Sequence, residues 1–134
     1  MNMSMQASGL RQYQEVRAAG GTADASPHRL IQLLFEGLLE CLAAAHGHIE
    51  RGEPAARGEA IGKAIAILGG LREALDFERG GELAANLEEL YAYCERRLVE
   101  ASRDNDRARL DEVAGLMRQI KDGWDAIAPG HDAR

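Results

Sequence analysis

The chain has 134 residues, a formal net charge of −6 and only 4 % aromatic residues, with Ala, Leu, Glu and Arg abundant. That length suits one domain with a real core. The acidity argues against a nucleic-acid binder, which carries a basic face, and against docking on an anionic membrane. The composition favours helix, and no segment shows the period-two alternation of β-branched residues that marks a strand.

In chain order, residues 1–9 are polar and small. Residues 10–16 (LRQYQEV) suit two turns of helix that align Leu10, Tyr13 and Val16. Residues 17–25 (RAAGGTADA) read as a flexible connector, so 1–25 form an arm. No apolar signal-peptide core precedes it, which points to the cytosol. Ser26-Pro27 then opens the first long helix: Ser caps, and Pro suits the first helical position because its missing N–H had no partner there. That helix is expected to reach about Ile49. Within it, Leu30, Ile31, Leu33, Leu34, Phe35, Leu38, Leu39 and Leu42 crowd into thirteen positions. With Gly37 and Cys41 they cover roughly 240° of the circumference, where one bundle face needs little more than 100°. The helix is therefore central, or part of it serves another chain. Gln32, Glu36 and Glu40, and the shortness of the run, argue against a bilayer span and membrane insertion.

Arg51-Gly52-Glu53-Pro54 breaks the chain. A second long helix is expected over 54–78, with an apolar arc of about 160° through Ile61, Ile65, Leu68, Leu71 and Leu75. Gly62, Gly69 and Gly70 are expected to admit a close neighbour. Gly80-Gly81 should end this helix, with glycine free to take the left-handed cap. A third is expected over 82–101 with the stripe Leu83, Leu87, Leu90, Tyr91, Cys94, Leu98 and Ala101. Asn105 or Asp106 caps a fourth, running to about Ile127 on the narrow seam Leu110, Val113, Met117, Ile120, Trp124 and Ile127. Residues 128–134, with Pro129 and Gly130, read as a disordered tail. The expected fold is all-α: an antiparallel up-down-up-down four-helix bundle over 26–127 with a short N-terminal helical arm.

Catalytic constellations are absent from the pattern. His46 and His48 are two apart and point away from each other on a helix, so they share no metal. There is no Glu-x-x-His pair, no phosphate loop and no nucleophile–base pair. No enzyme, cofactor or metal is expected. His28 reads as an exposed turn residue, and Cys41 and Cys94 as small buried thiols, not a disulfide. A phosphotransfer role for His46 is the sharper alternative, but Ala45 and Gly47 beside it offer no cation for phosphate. On the third helix, Asn86, Tyr93 and Arg97 fall within about 40° of each other beside the apolar stripe, at 100° per residue. They read either as bundle edge or as donors that grip an incoming backbone, Tyr adding area at low entropic cost.

Six blocks in order resemble the FliS family of flagellar export chaperones: LRQYQEV (10–16), ASPHRLIQLLF (25–35), IGKAIAIL (61–68), LDFERGGELAANL (75–87), LYAYCERRL (90–98) and LDEVAGL (110–116). The resemblance spans nearly the whole chain. It departs at Gly52-Glu53-Pro54, where many relatives have Gly-Asp and where Glu is the poorer cap. It implies a helical bundle that binds the disordered C-terminal segment of flagellin, keeps it from polymerising in the cytosol and helps present it to the flagellar export gate. It further implies that an aliphatic residue and a Tyr of the arm, here Leu10 and Tyr13, influence flagellin binding. The candidate contacts are Leu10, Tyr13 and Val16 in the arm, Leu33 and Leu39 on the first long helix, Ile61, Ile65 and Leu68 on the second, and Asn86, Tyr93 and Arg97 on the third. A weak homodimer of the free chaperone through the same groove is compatible with this reading. A structural homo-oligomeric bundle is the alternative from another class.

Overall fold

The computed structural model describes residues 26–127, and among them every regular element is a helix. The expected arm, with Leu10, Tyr13 and Val16, and the expected tail lie outside the described residues. The helices are α1 (Pro27–Glu50), α2 (Pro54–Glu73), α3 (Phe77–Asp104) and α4 (Arg107–Asp125). Each packs on its neighbours in sequence, and α1 also packs on α4, which closes the four into a bundle. The directions alternate. The start of α1 meets the end of α4 through His28 and Trp124, and the end of α1 meets the start of α4 through Glu50 and Arg107 at 2.8 Å. Arg57, early in α2, donates to Asn105 at the end of α3 at 2.7 Å.

Local chemistry sets most boundaries. Ser26 is extended and its hydroxyl accepts from the Arg29 N–H at 3.1 Å, with Pro27 at the first helical position. Gly52 takes φ 66° to turn the chain after α1. Glu53 precedes α2 without a side-chain cap bond; its carboxylate meets His48 Nδ1 at 2.7 Å and accepts from Arg51 Nε at 3.2 Å instead. Asn105 ends α3 in the left-handed region, and Asp106 caps α4 by accepting from the Ala108 N–H at 2.9 Å.

The expected boundary between the second and third helices is corrected. α2 stops at Glu73, not near residue 78, and α3 begins at Phe77, capped by Asp76, which accepts from the Arg79 N–H at 3.1 Å. The glycine pair lies inside α3: Gly81, at φ 50° and ψ −121°, kinks it after a single turn. The left-handed glycine is real but ends one turn, not a long helix.

The core draws on all four helices. Leu34, Phe35, Leu38 and Leu42 of α1 meet Ile61, Ile67 and Leu68 of α2, Tyr91, Cys94 and Leu98 of α3, and Leu110, Val113 and Met117 of α4. Each such aliphatic side chain contributes ~1.5–3 kcal/mol by leaving water. The wide arc of α1 is largely spent here, because Ile31, Leu39 and Ile49 also pack half-buried against the core. α1 is long and apolar enough to cross a membrane by length and composition, yet its apolar residues are committed to the other helices.

Three further expectations are corrected. His28 is 3 % exposed, not a turn residue in solvent, and its ring stacks on Trp124 with centroids 4.8 Å apart. Leu83 is 65 % exposed because Ala84 holds the core position beside it, in the row of Tyr91 and Leu98. Gly69 and Gly70 are buried, but Gly62 is exposed, with no described side chain or neighbouring backbone within 4 Å of where its Cβ would be.

Candidate partner-binding surface

The sequence-derived contacts separate into three environments. Leu33, Ile61 and Leu68 are interior, at 2 %, 2 % and 0 % exposure. The expectation that they border an open groove is corrected: Ile61 and Leu68 belong to the core cluster, and in this conformation none of the three presents an exposed groove wall. Leu39 and Ile65 lie half-buried against the core, so each keeps an accessible edge. Asn86 is exposed.

Tyr93 and Arg97 do come together, but on Glu112 of α4. The Tyr93 hydroxyl donates to Glu112 Oε2, and Arg97 Nε donates to Glu112 Oε1 at 2.8 Å. Arg97 also donates to Glu100 at 3.0 Å, and its guanidinium lies 5.8 Å from the Tyr93 ring centroid. The Tyr93 hydroxyl and then Arg97 hold the Glu112 carboxyl below its ordinary range, while the hydrogen bond to Glu112 raises the Tyr93 phenol. The two donors therefore tie α3 to α4. A second tie joins α2 to α3, where Arg72 donates to Glu88 at 2.7 Å and to Glu95 at 2.9 Å.

Among the described residues, an open apolar surface lies at the end of the bundle where α3 is kinked. A groove of about 1110 Å³ runs between Ala74 and Leu75 after α2, Arg79, Gly80, Leu83, Ala84 and Leu87 of α3, and Trp124 and Ile127 at the end of α4. Its walls are mainly apolar, and Asp76 and Arg79 stand at its rim. Leu83 and Ile127 are 65 % and 39 % exposed, and Phe77 in the kinked turn is 52 % exposed. Large apolar side chains gathered on one concave surface mark a binding site more than a solvated one. Trp124 is fixed in the wall from behind. His28 Nε2 donates to the Trp124 carbonyl at 2.9 Å, and Trp124 Nε1 donates to the His28 carbonyl at 3.0 Å. Since a carbonyl only accepts, this bond places a proton on Nε2 of His28.

The sequence stripe missed this groove by assigning Leu83 to the core and Ile127 to the α4 seam; Leu87 does pack half-buried against the core while also lining the groove. The available signal was Ala84: its seven-residue spacing to Tyr91 and Leu98 displaces Leu83 from the buried row.

The catalytic alternatives find little here. Nδ1 of His46 meets Asp111 at 2.9 Å and Nε2 faces Glu50 at 3.5 Å, so two carboxylates flank the ring where a phosphoryl group would need cations. Burial pushes the Cys94 thiol up to about 11 and raises that of Cys41, away from reactive thiolates. Among the described residues no cluster of three or more His, Cys, Asp and Glu side chains is arranged to hold a metal.

Comparison with known proteins names the family to which this helical chain belongs. The chain matches the family model described as flagellar protein FliS over residues 9–131. It is 56 % identical over 119 residues to the flagellar secretion chaperone FliSB of Pseudomonas aeruginosa, covering 89 % of this chain and 94 % of that protein. It is 44 % identical over 124 residues to the flagellar secretion chaperone FliS of Salmonella typhimurium, covering 92 % of each. The flagellar secretion chaperone FliS of Bacillus subtilis is 34 % identical over 100 residues, covering 75 % of this chain and 74 % of that one. A match over nearly the whole length, shared with relatives this similar, places the chain in the FliS family of flagellar secretion chaperones.

Proposed function

We propose that this chain, a chaperone and not an enzyme, binds the disordered C-terminal segment of flagellin in the cytosol. It thereby blocks premature polymerisation and aids delivery to the flagellar export gate. The observation that carries the reading is the apolar groove beside the α3 kink, with Leu83, Phe77 and Ile127 exposed around it. A disordered segment loses ordering entropy when it binds, so its site must offer a large apolar area. The groove supplies part of that area, and the accessible edges of Leu39 on α1 and Ile65 on α2 offer more. The 1–25 arm, through Leu10, Tyr13 and Val16, acts beside the 26–127 bundle and influences access to its surface; 128–134 is a tail. A weak homodimer of the free chain uses the same apolar surface.

Titration of the chain with a flagellin C-terminal segment tests the proposal. A 1:1 complex is expected, weakened by Leu83→Asp at unchanged folded stability. An obligate dimer that takes up no segment would favour a purely structural bundle and sink the proposal.

A further inference from the structure

The kink in α3 conflicts with the register of the residues on either side of it. Below the kink, Ala84, Tyr91 and Leu98 recur at seven-residue spacing and are 3 %, 3 % and 0 % exposed. One heptad before Ala84 stands Phe77. On an uninterrupted helix, residues seven apart share a face to within about 20°, so Phe77 belongs to the buried row. It is instead 52 % exposed. The displacement comes from one residue: Gly81, at φ 50° and ψ −121°, a conformation open to glycine and costly for any L side chain.

Gly80 adds a second observation. A Cβ built there would lie 3.0 Å from the Cβ of Ala84. Residues four apart on a regular helix keep their Cβ atoms about 5–6 Å apart. The crowding is therefore a property of the kinked form and disappears if the helix runs straight. Asp76 caps at Phe77 in either form, because its bond to the Arg79 N–H lies wholly before the hinge.

We propose that Gly81 is a hinge that switches α3 between two forms, and that the Phe77 side chain gates the groove. In the kinked form Phe77 is turned out and the groove is open. In the straight form α3 runs unbroken through Gly81, and Phe77 returns to the row of Ala84, which lines the groove. Its ring then occupies apolar space otherwise available to a guest. The chain thus carries its own competitor for the surface, and a bound segment selects the kinked form. The hinge stands on the geometry alone; only its effect on binding rests on the proposed flagellin reading.

Gly80→Ala tests this, since the added methyl is crowded in the kinked form and welcome in a straight helix. In the free variant, amide exchange over 81–84 is expected to slow. Emission of Trp124, the single tryptophan and a groove wall, should shift as Phe77 approaches. Binding of a flagellin C-terminal segment should weaken about tenfold once the straight form reaches nine-tenths of the population. Adding Phe77→Ala to Gly80→Ala should restore binding while exchange stays slow. Unchanged exchange and emission in Gly80→Ala would overturn the hinge. A binding loss that Phe77→Ala does not relieve would overturn the gate. If the wild-type chain takes up no segment, the flagellin reading fails, and exchange and emission in the free variants still decide the hinge and the approach of Phe77.

Discussion

At the scale of single residues, the polar groups of this chain are mostly fasteners. His28 and Trp124 exchange two hydrogen bonds and stack, joining residues 96 positions apart. His28→Ala is expected to cost ~1–3 kcal/mol, because it leaves a hollow and removes a buried bond; a urea titration that gives an unchanged midpoint would refute the clamp. Nothing in the sequence around Ser26-Pro27-His28 indicates that Trp124 will arrive there, since the contact depends on α4 returning to the start of α1. Glu112 gives a pH signature. The Tyr93 hydroxyl and Arg97 hold its folded pKa below the ordinary glutamate value of 4.5. The stabilisation is therefore present above pH 4.5 and is lost as pH falls through the lower folded value. Glu112→Gln should be less stable than wild type at pH 7, with the gap closing progressively below pH 4.5. Urea midpoints measured from pH 7 to pH 3 follow that gap, and a gap independent of pH would assign Glu112 a purely packing role.

At the scale of elements, periodicity carried most of the information, and it failed where backbone geometry broke the period. The starts of α1 and α4 follow from Ser26, Pro27 and Asp106, whose capping chemistry is local. The position of α3 does not follow, because 75–87 holds enough apolar residues for either phase and the decision rests on Gly81. Reading the stripe through Leu83 put a solvent-facing leucine in the core and concealed the groove. The same argument explains Ile61 and Leu68: a wide arc on a helix shows apolar excess, but not which part of it neighbouring helices cover. Two truncations separate the phases. Leu38→Ala, at 0 % exposure, is expected to cost ~2–5 kcal/mol. Leu83→Ala, at 65 % exposure, should stay within ~0.5 kcal/mol of wild type. Equal losses in thermal melts would return Leu83 to the core and remove the groove's most exposed wall.

At the scale of the whole molecule, the proposed binding surface lies apart from the residues that hold the bundle together. The core draws on wide arcs of α1 and α2 and narrower stripes of α3 and α4, while the surface beside the kink keeps Phe77, Leu83 and Ile127 in solvent. Family membership was legible because six blocks span the chain; the location of the open surface was not, because it depends on how far α2 and α4 run past the kinked turn of α3. A guest that docks on folded chain and not on unfolded chain must stabilise the fold by mass action. At a segment concentration of 100 Kd that linkage amounts to ~2.7 kcal/mol. For a domain of about 100 residues it corresponds to a rise in Tm of roughly 10–20 °C at that saturation, evaluated at the melting temperature. Melts of the chain against increasing flagellin C-terminal segment should therefore climb with the logarithm of free segment. Leu83→Asp should shift that climb to higher concentration without lowering the starting Tm. A Tm indifferent to the segment, in a chain that still pulls it down, would mean that the guest also holds the unfolded chain, and that the folded groove is not what recognises it.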